Sequence, residues 1–248
     1  MAAREEPRRQ ILLELLGAAL AAVDGRLRTR QALSERPGGA RTWAIAVGKA
    51  ASRMALGASD ALGGALDRVL LVTKDGHVDP QALELPGVEI HESGHPVPDR
   101  RSLDAGARLL RFVEEMPHGV RPLCLISGGA SSLIEVLAPG SSLEDLQRLN
   151  AEGLASGLPI EELNARRGRI SRLKGGRFAA LLAGRGALAL YISDVPGDDP
   201  AVIGSGLLGP PAALGPATPV AAERAGPGDD IERIVVASLA EALSAVRA

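Results

Sequence analysis

Five short apolar runs, each closing on a polar loop, constrain this chain more than any other feature. They are Trp43–Val47, Val69–Thr73, Val88–His91, Leu123–Ser127 and Ala187–Ser193. Runs this short and this apolar suit strands buried on both faces of a parallel sheet. Helical spacing fills the gaps between them: an opening helix over Pro7–Leu27, a pattern from Ala50 through Leu66, another over Ser102–Glu115, then helices over 142–156 and 159–164. The alternation predicts an α/β fold, a doubly wound and mostly parallel sheet with helices on both faces, Rossmann-like in plan. Aromatic residues make up only 2% of the chain, so its core must be built from Ala, Val, Leu and Ile.

Composition removes several function classes. A formal net charge of −2 gives no electrostatic case for nucleic acid or an acidic membrane surface. No apolar stretch approaches the ~20 residues of a membrane span. The opening MAAREEPRRQ is charged and lacks the apolar centre of a signal peptide, so the cytoplasm is the expected compartment. The single cysteine, Cys124, excludes an internal disulfide and any multi-cysteine metal site; within Leu123–Ile126 it reads as a buried, inert thiol. Gly, Pro and Ala without periodicity from about residue 204 read as a linker. The expected organisation is therefore an α/β domain over 1–206, a linker over 207–228, and a strand-to-helix piece over 229–248 belonging to a truncated C-terminal region.

In open α/β sheets ligands sit beyond the carboxyl ends of the strands, and several such ends here carry chemistry. Ser127-Gly128-Gly129-Ala130-Ser131-Ser132 combines glycines that admit an anion close to the backbone with hydroxyls able to surround phosphate oxygens. The same residues fit a tight strand-to-helix turn with a serine cap. Val47-Gly48-Lys49-Ala50 places a lysine where it can pair with phosphate or carboxylate, although a solvated lysine fits equally, and it is not a Walker A loop. Ser193–Asp199 holds Asp194, Asp198 and Asp199, which can hold Mg²⁺ or accept a hydroxyl proton, or can merely cap a turn. Arg166–Arg177 has six basic residues in twelve, including Arg167 and Lys174-Gly175-Gly176, and suits either polyphosphate or a solvated face. His91–Asp99 offers His95 as a donor to a ligand oxygen, with a structural histidine as the plainer reading. Gly204–Gly209 fits G-x-G-x-x-G, but no strand precedes it and Pro210-Pro211 forbid a helix after it, so it is not a dinucleotide fingerprint.

Taken in order, these segments resemble the glycerate 2-kinase family, also called MOFRL-type kinases and often labelled hydroxypyruvate reductase. The matching residues are Gly48-Lys49-Ala50-Ala51 with Met54, His95-Pro96-Val97-Pro98-Asp99 with Ser102, and Ser127-Gly128-Gly129 with Ser131 and Leu133. Asn164 with Arg167, Ser171 and Lys174-Gly175-Gly176, and then Ser193–Pro200, complete the pattern over about residues 10 to 206. Gly168 and Leu207 depart from it, standing where the family has lysine and proline. The resemblance implies ATP- and Mg²⁺-dependent phosphorylation of the 2-hydroxyl of D-glycerate. Lys49, Asp194 and Arg167 would be catalytic. The nucleotide would meet Gly48, Ser127, Gly128, Gly129, Ser131, Ser132, Lys174, Gly175 and Gly176. His95, Lys49 and Asp194 would meet the substrate, and Asp194 and Asp198 the metal. It also implies a C-terminal domain across a cleft, bringing a catalytic arginine. The residues after 206 do not match that domain. The chain alone is therefore expected to be impaired, and to need a separately encoded C-terminal domain or a homo-oligomer. A non-catalytic nucleotide- or sugar-acid-binding module and an NAD(P)H-dependent hydroxypyruvate reductase are the competing readings.

Overall fold

The computed structural model describes residues 5–36, 39–156, 160–210 and 230–247. Six strands form one wholly parallel sheet: β1 (Thr42–Val47), β2 (Leu66–Lys74), β3 (Val88–Ser93), β4 (Arg121–Ile126), β5 (Leu188–Ser193) and β6 (Glu232–Ser238). Their spatial order is β3-β2-β1-β4-β5-β6. The winding direction reverses between β1 and β4, so the loops leaving those two strands part and leave a crevice at their carboxyl ends.

Alternation along β1 divides the core between the two faces. Trp43, Ile45 and Val47 point to one side, where they pack with Leu109 and Phe112 of α4 (Arg100–Glu115) and Phe178 of α8 (Arg177–Leu181). Ala44 and Ala46 point to the other, against Met54 and Ala55 of α3 (Ala51–Leu62) and Leu33 of α2 (Gly25–Ser34). Both faces are covered, so β1 is buried at every residue, and periodicity of two is invisible in its sequence. Cys124 is free and fully buried, and burial pushes its thiol well above the ordinary range. No described helix is long and apolar enough to cross a membrane.

Four sequence expectations change. The opening helix is two, α1 (Glu5–Ala22) and α2, because Asp24 accepts a hydrogen bond from the Leu27 amide at 2.8 Å and caps a new start. The second of the consecutive helices continues through the basic run: α6 (Leu143–Ser156) is followed by α7 (Ile160–Ile170). Residues 207–209 are buried rather than linking, with Leu207 and Leu208 in the core and the Leu208 carbonyl accepting from the Tyr191 hydroxyl at 3.3 Å. The remainder of the expected linker, 211–228, lies outside the described residues. The 229–248 piece is not a separate region where it is described: β6 pairs in parallel with β5, and α9 (Leu239–Arg247) packs against α1. An apolar run cannot announce which sheet it will join, because the pairing partner is a tertiary choice.

Helix α3 lies close to α2 through Gly57, where an added Cβ would stand 2.2 Å from the Arg26 carbonyl oxygen. Backbone on the far side cannot rotate away, so Gly57→Ala is expected to destabilise the protein by about 1–3 kcal/mol. Gly64→Ala, which meets nothing within 4 Å, should stay within about 0.5 kcal/mol of the parent. Denaturant unfolding of the two variants checks this, and equal stabilities would refute the packing argument.

Candidate active site

The crevice begins with backbone stitching. The Gly48 amide donates to the Val72 carbonyl at 3.0 Å, and the Ser127 amide to the Val47 carbonyl at 3.0 Å. The Lys49 amide donates to the Gly128 carbonyl at 3.0 Å, and the Ala50 amide to Ser127 Oγ at 3.0 Å. Thr73 Oγ1 closes the set by donating to the Gly48 carbonyl at 2.9 Å. The loop after β1 is thereby held against both neighbouring strand ends. This geometry requires glycine at 48: its φ is +132°, and a Cβ would stand 2.2 Å from Ser127 Oγ.

Three side chains from three loops meet at the next two glycines. A Cβ on Gly128 would lie 2.3 Å from Asp194 Oδ2. One on Gly129, whose φ is +89°, would lie 3.0 Å from His95 Nε2 and 3.2 Å from Lys49 Cε. The loops following β1, β3, β4 and β5 therefore converge, and the missing side chains of Gly128 and Gly129 leave the space into which Lys49, His95 and Asp194 project. Among the described residues the amides of Gly128 and Gly129 find no acceptor, so two donors remain for an anion. Lys49 and Asp194 are exposed, whereas His95 and Ser131 are half-buried.

Electrostatics agree with the contact geometry. The His95 imidazole is held below its ordinary range, first by burial, then by the nearby Lys49 and Lys74 ammonium groups, with Asp194 opposing. His95 is thus a neutral ring between two cations and a carboxylate at pH 7. Lys74 ends β2 as Lys49 follows β1, and sequence reading passed over it. A cation at a strand end was the available signal. His77, from the same loop, lies with Nδ1 3.4 Å from the Lys49 carbonyl.

Other expected ligands are not brought here. The Ser132 hydroxyl donates to the Gly129 carbonyl at 3.2 Å and Ser127 Oγ is taken by Ala50, so both serve the turn. Lys174 is fully buried in an ion pair with Glu135, which removes it from phosphate binding. The amides of Gly175 and Gly176 donate to the carbonyls of Ser205 at 3.1 Å and Gly206 at 2.7 Å. The apparent dinucleotide glycines 204–209 are therefore a docked series of turns. Arg167 donates from Nε to Asn150 Oδ1 at 2.8 Å; burial lowers its pKa, and the nearby Glu135 carboxylate opposes that. Asp99 caps α4 in a reciprocal capping box with Ser102, and Asp199 caps the turn at Ala201. Among the described residues no group of three His, Cys, Asp or Glu could hold a metal, so Asp194 and Asp198 do not form a metal cage with a third such residue. A concavity of about 140 Å³ exists at the opposite, amino-end edge, lined by Leu33, Leu62, Leu123 and Leu188, away from every group above.

With this geometry in hand, comparison with known proteins becomes informative. The family described as "Domain of unknown function (DUF4147)" matches residues 11–226. The chain belongs to that family. A D-glycerate 2-kinase of Thermotoga maritima is 43% identical over 162 residues, which are 65% of this chain and 38% of that protein. An Agrobacterium vitis protein provisionally named hydroxypyruvate reductase is 38% identical over 199 residues, 80% of this chain and 44% of that one. The chain thus spans about two fifths of the length of these relatives. The crystal structure of a Thermotoga maritima glycerate kinase superposes with a TM-score of 0.81 at 31% identity, covering 97% of this chain and 61% of that chain.

The convergence makes a prediction that needs no ligand. His95 should titrate below free histidine in an NMR pH series. Lys49→Gln removes a cation that disfavours the imidazolium and should raise the His95 pKa; Asp194→Asn removes a favourable anion and should lower it further. A His95 pKa indifferent to both changes would separate it from the two residues.

Proposed function

We propose that this chain forms one wall of an ATP- and Mg²⁺-dependent glycerate 2-kinase site, transferring the γ-phosphoryl group of ATP to the 2-hydroxyl of D-glycerate. The observation that carries the reading is the meeting of Lys49, His95 and Asp194 around Gly128 and Gly129 at the reversal point of the sheet. Relatives named D-glycerate 2-kinase support the substrate and reaction class. The reductase alternative has no support in the glycine pattern, because 204–209 follows no strand and Pro210-Pro211 stand where a dinucleotide-binding helix would have to begin. The cytoplasm is the proposed compartment.

Each group has a task. The Gly128 and Gly129 amides and the Lys49 ammonium take the anionic oxygens of the transferring group, and fixed donors need no rearrangement as charge shifts there. The half-buried neutral His95 hydrogen-bonds the hydroxy acid and fixes its orientation. Asp194 accepts the proton of the 2-hydroxyl as its oxygen bonds to the γ-phosphorus; the bond from that phosphorus to the bridging oxygen breaks, and ADP departs. Arg167, committed to Asn150 and close enough to Glu135 to feel its charge, is given no phosphate in this scheme. Asp194 and Asp198 are the carboxylates that would hold Mg²⁺, which commonly takes one or two carboxylates together with substrate phosphates. When bound, the ion neutralises phosphate charge. A second domain, covalent or separate, is the proposed partner across the crevice.

Calorimetry with Mg²⁺·ATP should detect binding that Gly129→Val weakens at least tenfold, since the branched side chain enters the space of His95 and Lys49. Unchanged affinity would refute placement of the phosphates at this loop. In a coupled ADP-release assay with D-glycerate, the 248-residue chain alone should turn over far below the ordinary 1–10³ s⁻¹ or so. Supplying the C-terminal portion of a relative in trans should raise that rate, and Lys49→Met should lower the supplemented rate by about 10²–10³. Full turnover by the chain alone would remove the second domain from the proposal.

A further inference from the structure

The charged pair that left the site has a role there at one remove. Lys174 and Glu135 are both fully buried, with side-chain exposures of 0% and 1%. Glu135 lies three residues beyond the glycine–serine loop and is held on every side. Its amide donates to the Ser102 carbonyl at 2.9 Å, and its own carbonyl lies so near α4 that a Cβ on Gly106 would stand 1.9 Å away. Carboxylate Oε1 accepts from Ser171 Oγ at 2.6 Å and from the Val136 amide at 2.9 Å, and Oε2 takes Lys174.

From Lys174 the connection runs to the opposite wall. The next two amides, of Gly175 and Gly176, bind the carbonyls of Ser205 and Gly206, and Ser205 Oγ donates to Asn164 Oδ1 at 2.8 Å. A run of turns leads back from there toward Asp194: Gly206 to Ile203, Ser205 to Val202, Val202 to Asp199, and Asp198 to Val195. Ser127–Ser132 and Asp194–Gly206 are thus fastened to opposite members of one ion pair.

We propose that the buried Lys174–Glu135 pair is a positioning device that fixes the 127–132 loop relative to the 194–206 segment. As a statement about catalysis it rests on the kinase reading above. Stability alone does not account for the pair, because two charges taken out of water can often be replaced by an apolar pair of like volume without loss. What an apolar pair does not supply is direction. An ammonium with three donors against a carboxylate with two oxygens, one already committed to Ser171, fixes both distance and angle between the walls. A misplacement of about 1 Å between reacting groups can cost about a hundredfold in rate.

The test separates folding from positioning. The double variant Glu135→Gln with Lys174→Met keeps volume and removes both charges; its melting temperature should stay within a few degrees of the parent. Amide hydrogen exchange in residues 128–135 and 203–207 should accelerate together by at least tenfold, while β1, β4 and β5 remain protected. Glu135→Asp, which keeps the charge, should restore much of the protection. Calorimetry with Mg²⁺ and a non-hydrolysable ATP analogue should show about tenfold weaker binding to the double variant. Parent-like exchange in both segments, or loosening of only one, overturns the proposal. If the double variant does not fold, Ser171→Ala is read by the same two exchange criteria, since it cuts the hydroxyl joining Glu135 to the Leu173 and Lys174 amides. The exchange measurements decide positioning whether or not nucleotide binds; absence of analogue binding to the parent counts against the kinase reading alone.

Discussion

The close approach of the loops after β1 and β4 is the constraint on which the candidate site depends. Parallel pairing brings Val47 beside Ile126, and the Ser127 amide extends the ladder one step by binding the Val47 carbonyl. Gly48 then turns with a positive φ that leaves no room for a Cβ beside Ser127. Lys49 and Ala50 return hydrogen bonds to Gly128 and Ser127. Backbone geometry, rather than any ion pair, puts the Lys49 ammonium over the Gly128–Gly129 turn.

From that stitch the other parts gain their meaning. The loop after β3 delivers His95 because Asp99 starts α4 immediately behind it and because Gly94 lets the loop fold tightly, a Cβ there falling 2.7 Å from the Val97 carbonyl oxygen. The loop after β5 delivers Asp194, and its return path through 199–206 is anchored at Gly175 and Gly176. One edge of the sheet thus gathers two lysines, a neutral histidine, a carboxylate and two free amides. Such a set suits an anion carried beside a hydroxyl. The opposite edge gathers leucines around a small cavity.

Two classes of basic residue, alike in sequence, separate in space. Lys49 and Lys74 follow or end strands at the carboxyl edge, remain unpaired by carboxylate among the described residues, and depress the His95 pKa. Lys174 belongs to a run equally rich in charge but is sealed against Glu135 from a segment 39 residues earlier. Arg177 near it donates to the carbonyls of Gly168, Ser171 and Lys174, acting as a clasp for the turn. Charge density along the chain does not distinguish a phosphate-facing cation from a structural one; the partner it finds across the fold does.

The sequence by itself determined the fold class, since short apolar runs separated by helical patterns have few other ways to bury themselves. It also marked the strand ends where backbone approaches closely, at Gly48, Gly128 and Gly129, and it set aside the fingerprint-like run 204–209 through the prolines that follow. Tertiary structure alone decided that residues 232–238 complete the same sheet and that Lys174 and Ser127 are spent on internal contacts. Each of those outcomes depends on a partner far away in the chain: β5 for β6, Glu135 for Lys174, Ala50 for Ser127. Local spacing records what a residue can do, and only the packed fold settles which of its possible partners is within reach.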